Sequence, residues 1–136
     1  MVFTTSSQEE TMHLAQQLLK ENPQQKLWLL SGDLGSGKTS FVKGVARHFG
    51  DHEKTVKSPT FALIQEHKNW IHADLYRLEE RDEMIEEELR EYLKSGYVLF
   101  IEWPEHAPIW EDKQRAELHF THTKLGARKI RFNLLP

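Results

Sequence analysis

Gly32-Asp33-Leu34-Gly35-Ser36-Gly37-Lys38-Thr39 fits the spacing G-x-x-x-x-G-K-[ST] at every fixed position, and these residue types suit the binding of a phosphate chain. Glycines let consecutive backbone N–H groups turn toward phosphate oxygens where a Cβ would intrude. A helix beginning just after the loop adds unpaired N–H donors and the positive end of its dipole. Gly32, Leu34, Gly35, Ser36 and Gly37 are therefore the expected cradle. Lys38 is expected to reach the β- and γ-phosphates, and the Thr39 hydroxyl to ligate Mg²⁺.

A loop of this kind needs an acid at the end of a neighbouring buried strand, to hold Mg²⁺ directly or through water. Val98-Leu99-Phe100-Ile101-Glu102 is four apolar residues followed by a carboxylate, which makes Glu102 a candidate. Asp74, in His72-Ala73-Asp74-Leu75-Tyr76-Arg77, is a rival at the end of another strand. One acid could serve the metal and the other the attacking water, and spacing alone does not divide the roles. Ser58-Pro59-Thr60-Phe61 lies where many such hydrolases sense the γ-phosphate, so Thr60 is a candidate for the metal shell, against the plainer reading of a turn before a strand.

Other chemistries fit less well. Thr123-Lys124-Leu125-Gly126 starts like a guanine-reading segment but lacks its acid, and no Asp-x-x-Gly switch follows a strand, so GTP is disfavoured. Two histidine pairs, His48/His52 and His119/His122, have no Glu or Cys beside them at ligand spacing and read as ordinary surface histidines.

These residues need a frame to hold them. Val2–Thr5 reads as an edge strand, and Ser6 or Ser7 can cap a helix from Gln8 that ends at Asn22-Pro23. The run Leu27–Leu30 reads as a strand covered on both faces, and the loop after it leads into a helix over about 38–49. Phe61–His67 and Trp70–Tyr76 form an expected hairpin, Glu79–Lys94 a helix, and Tyr97–Ile101 a second buried strand. Segments 117–123 and 128–134 form a closing pair around Gly126.

The chain of 136 residues, 38% apolar and 29% charged, has the balance of a soluble single domain spanning 1–136. It has no apolar run long enough to cross a bilayer, no secretory start and no cysteine, so a cytoplasmic address is expected. The net charge of −3 conceals an acidic run over 79–91 and a basic one over 113–131, read as solvated faces or as docking surfaces.

The segments 32–39, Val56-Lys57-Ser58-Pro59-Thr60-Phe61, His72-Ala73-Asp74-Leu75-Tyr76-Arg77-Leu78 and Ile101-Glu102-Trp103-Pro104-Glu105 together resemble the TsaE family, in order and in spacing. The resemblance covers nearly the whole chain from about residue 8, and Gly126-Ala127-Arg128 resembles the family's carboxy-terminal Gly-Arg region. It implies an α/β, three-layer P-loop NTPase fold with a mostly parallel central sheet and antiparallel edge strands. It also implies Mg²⁺-dependent ATP hydrolysis in complex with TsaD and TsaB, whose joint product is threonylcarbamoyladenosine at position 37 of tRNA; the tRNA would be met indirectly, through the complex. By the same resemblance Lys38 and Thr39 hold phosphate and Mg²⁺, Glu102 is the second metal-shell carboxylate and Asp74 a catalytic or switch acid. Trp103 lies near the nucleotide or packs in the core, and Arg128 approaches the adenine or the phosphates. The alternatives are a small-molecule kinase, which would need an arginine-bearing lid and an acceptor site, and a nucleotide-gated binding module with negligible hydrolysis.

Overall fold

The computed structural model describes residues 1–52, 56 and 63–136. Thr60 and the start of the strand expected from Phe61 lie outside the described residues. In chain order the elements are β1 (Val2–Thr5), α1 (Gln8–Glu21), β2 (Leu27–Gly32), α2 (Lys38–His48), β3 (Ile64–Glu66), β4 (Trp70–Asp74), α3 (Glu83–Lys94), β5 (Val98–Glu102), β6 (Arg115–His122) and β7 (Arg128–Leu135), with a short 3-10 turn at Pro104–His106.

The strands form one sheet in the order β1-β7-β6-β2-β5-β4-β3. Its centre is parallel, with β2 between β6 and β5 and β4 beyond β5, while β3–β4, β6–β7 and β7–β1 pair antiparallel. That is the α/β architecture the sequence implies, and β2, which feeds the glycine loop, is its middle strand. Side-chain alternation along β2 sorts the core into two layers. Trp28 and Leu30 face α1 and α2, packing with Leu18, Phe41, Val45, Phe100 and Phe120. Leu27 and Leu29 face the other way, with Ile71, Leu99, Ile101, Leu89 and Trp110. Every residue of β5 is buried.

Helix α2 is pressed against α1 at Gly44, where a Cβ would run into the Met12 carbonyl oxygen and meet Ala15 Cβ at 2.8 Å. This contact fixes α2, and with it the entry to the loop.

Two boundaries and one reading of charge differ from expectation. Helix α3 starts at Glu83 rather than Glu79, because the Asp82 carboxylate accepts N–H bonds from Met84 (3.0 Å) and Ile85 (3.1 Å) and so caps the helix there. Strand β4 stops at Asp74, whose side chain accepts the Tyr76 N–H at 3.1 Å and turns the chain. The acidic run is not wholly a solvated face: Glu86 is 2% exposed and takes both Nε and an NH2 group of Arg81, each at 2.9 Å.

Candidate nucleotide site

The loop between β2 and α2 turns through Gly32, Gly35 and Gly37, all at positive φ (135°, 74° and 112°). At each, an L side chain would be strained. At Gly32 a Cβ would also collide with the Phe120 carbonyl oxygen, and at Gly37 it would stand 2.5 Å from Arg128 Cδ. Gly37 is the N-cap residue of α2 and offers no side chain, so the helix's first N–H groups receive no side-chain cap. The bend thus presents a concave backbone surface with an open helix end.

Lys38 opens α2 and is 4% exposed. Its ammonium donates to the Gly32 carbonyl at 2.5 Å and lies 3.9 Å from the centre of the Trp103 ring. Burial pushes its pKa down, and the charges of Glu102 and then Asp74 pull it partly back. The lysine rests folded onto its own loop, poised for an anion. Thr39 is exposed and lines the same cavity of about 210 Å³, with Leu34, Gly35, Gly37, Asp74, Glu102, Trp103 and Arg128 among the other lining residues.

The opposite wall comes from the strand ends. Parallel pairing sets Glu102 of β5 beside Leu30 of β2 on one side and beside Asp74 of β4 on the other. Both candidate acids therefore meet at one corner, facing Lys38. Glu102 is 3% exposed, and its Oε2 lies 2.5 Å from His72 Nε2. The Asp74 carboxyl is pushed above the usual range, first by burial and then by the Glu102 charge. A pair of adjacent acids held this way favours the arrival of a cation.

Trp103 follows Glu102 with φ 58° and ψ 51°, the one non-glycine residue at positive φ among those described. Left-handed backbone at a bulky residue costs about 1–3 kcal/mol and clusters at functional sites. Its indole does two jobs: it edges the core layer beneath α3 and forms the cavity wall under Lys38, with Tyr76 at 5.0 Å. Trp103 thus belongs to the core layer and to the cavity wall at once. Arg128, at the start of β7, lies over Gly37, on the side of the bend.

Two buried polar atoms around the bend, Ser36 Oγ and Arg128 Nε, have no hydrogen-bond partner. Donors left unsatisfied in a cradle from which a Cβ is excluded, with a cationic side and an acidic side, fit a phosphate chain carrying a divalent cation.

Between residues 5 and 130 the chain matches the family described as threonylcarbamoyl adenosine biosynthesis protein TsaE. It belongs to the TsaE family. Similar proteins include the TsaE of Rickettsia conorii, 39% identical over 108 residues that make up 76% of this chain and 61% of that one. The Bacillus subtilis TsaE is 36% identical over 105 residues, 74% of this chain and 65% of that one. The chain thus spans about three-fifths of the length of the Rickettsia relative. Among solved structures, Bacillus subtilis YdiB superposes with a TM-score of 0.77 at 25% identity, covering all of this chain and 86% of that one.

The structure brings Gly32, Leu34, Gly35, Ser36, Gly37, Lys38, Thr39, Asp74, Glu102, Trp103 and Arg128 to one end of the sheet. His72 also reaches this corner, though the sequence singled it out only as part of a motif. The signal was an imidazole between apolar Ile71 and Ala73, two residues before Asp74 and so on the same face of the strand.

Proposed function

We propose that this TsaE-family chain binds ATP with Mg²⁺ and hydrolyses it as a subunit of the cytoplasmic machinery that makes threonylcarbamoyladenosine in tRNA, working with TsaD and TsaB. The observation that carries the proposal is the juxtaposition of Lys38 and the glycine bend with the Asp74–Glu102 corner. It gives anion-binding and cation-binding groups on facing walls of one small cavity. The names of the relatives supply the biological setting.

The residues divide the work as follows. Lys38 exchanges the Gly32 carbonyl for phosphate oxygens, and the α2 amides and Arg128 complete the anion side. Thr39 and Glu102 would hold Mg²⁺, which would supply positive charge to offset that of the phosphates. Among the described residues no three His, Cys, Asp or Glu side chains converge to cage a metal. Asp74, with its raised pKa, is suited to orient the attacking water and take its proton. Trp103 shields Lys38 from water. The cavity of about 210 Å³ is smaller than the roughly 300–1,000 Å³ of pockets that enclose whole ligands, so it takes the phosphate tail.

The test is phosphate release from Mg–ATP by the chain alone and with TsaD and TsaB added. Slow release that quickens with the pair is expected. No change on adding the pair would count against the subunit role, and a phosphorylated metabolite in place of free phosphate would mark a kinase.

A further inference from the structure

Resting on the reading above, we infer that His72 is a positioning residue: it holds the Glu102 carboxylate away from Lys38 and leaves it one free oxygen, Oε1, for the metal. In the β4–β5 register His72 stands beside Phe100, one pleat before Asp74 beside Glu102. All of these side chains point to the same face of the sheet, so the Glu102 side chain leans back along the strand to reach the imidazole. An ionised carboxylate only accepts hydrogen bonds, so His72 Nε2–H is the donor to Oε2, at 2.5 Å. Both side chains are only 4% exposed, and water therefore does not compete.

Two forces act on Glu102 in the absence of this bond. The charge of Asp74 pushes it, and the buried ammonium of Lys38 pulls it. A direct Lys38–Glu102 ion pair would neutralise the phosphate ligand and the metal ligand against each other. Among the described residues no such pair forms: Lys38 donates to the Gly32 carbonyl and Glu102 accepts from His72. The imidazole holds this position at a cost, because its Nδ1 is buried without a partner. A buried ring nitrogen left unsatisfied fits a side chain placed for what its other nitrogen does.

Orienting partners of metal ligands are worth about 10–100-fold in metal affinity, which sets the scale of the experiment. Mn²⁺ is titrated, with detection by electron paramagnetic resonance, into ADP-saturated full-length chain of the wild type, His72→Ala and His72→Gln. ADP affinity is measured in parallel by calorimetry in EDTA. His72→Ala is expected to weaken Mn²⁺ binding by about 10–100-fold while leaving metal-free ADP affinity unchanged. His72→Gln, whose amide can donate from nearly the same place, is expected to recover most of the loss. Should His72→Ala not fold, His72→Phe replaces it, filling the space without a donor. Wild-type Mn²⁺ affinity in the folded donor-less variant would overturn the inference, as would a Gln variant no better than it. A wild-type chain that binds no Mn²⁺–ADP would instead remove the nucleotide-site reading itself, and this inference with it.

Discussion

Among the described residues, two places bury carboxylates, and they treat them in opposite ways. At the start of α3, Glu86 receives two hydrogen bonds from the Arg81 guanidinium, which holds its pKa below the usual carboxylate value. At the ends of β4 and β5, Asp74 and Glu102 stand side by side, and burial together with the like charge pushes Asp74 above its usual value. The first arrangement is satisfied by the protein alone. The second is left costly, and Lys38, its own charge disfavoured by burial, stands across the same cavity. The contrast separates a carboxylate satisfied by its neighbour from a pair to which the proposed function gives the chemistry.

The largest effect that would sharpen this contrast is on turnover. Lys38→Ala is expected to lower phosphate release by about 10²–10³-fold, the scale for removing one charge-stabilising group from an active site. Its melting temperature should stay level or rise, since the lost ammonium was buried at a cost. Loss of both activity and fold would break the comparison by making Lys38 a structural residue. Glu102→Gln follows. It keeps an acceptor for His72 but removes the negative charge, so Mg²⁺ dependence should move to much higher concentrations, by about 10-fold or more, with little change in melting temperature.

The two regions also differ in how far the sequence exposes them. The glycine bend was legible because its requirements are local: three positive-φ positions, a lysine and a hydroxyl within eight consecutive residues. Strand β5 was legible because all its residues are buried and read as one apolar run ending in Glu102. That Asp74 meets Glu102 was not legible, because it follows from the register of two strands separated by α3, and no spacing encodes a register. His72 escaped for the same reason, since its partner sits on the neighbouring strand. The Glu86–Arg81 pair was hidden inside an acidic run whose other members read alike. The start of α3 is not legible because Glu79 and Glu80 suit a first helical turn as well as Glu83 does, and only the Asp82 cap decides between them. Arg128 reaches the bend because β7 returns beside β6, and its position over Gly37 depends on that hairpin.

A smaller effect tests the cost carried by the acidic corner. Asp74→Asn should abolish most activity yet raise the melting temperature at pH 7 in the absence of nucleotide and metal. With a folded pKa above the ordinary value of about 3.9, Asp74 binds more protons in the folded state than in the unfolded one across the window between them. Stability contributed by this group therefore falls as pH rises through that window. The stabilising gain of Asp74→Asn should be greatest at neutral pH and shrink to nothing as pH approaches 3.9. A gain that is flat from pH 4 to pH 7 would show that the raised pKa does not come from the corner's own burial and charge.

The smallest effect belongs to Glu86, and its sign is reversed. Glu86→Gln should lower the melting temperature at pH 7 by a few degrees and leave phosphate release per folded molecule unchanged. Because Arg81 is largely exposed, water already screens the pair and the loss should be modest. Here the folded pKa lies below the ordinary glutamate value of about 4.3, so the stabilisation is complete above that value and is lost as pH falls through the folded pKa. Thermal melts of wild type and Glu86→Gln should accordingly diverge at neutral pH and converge only in acid, below about pH 4. Convergence beginning near pH 6 would mean that Glu86 titrates like Asp74, and the difference between the two carboxylate sites would disappear.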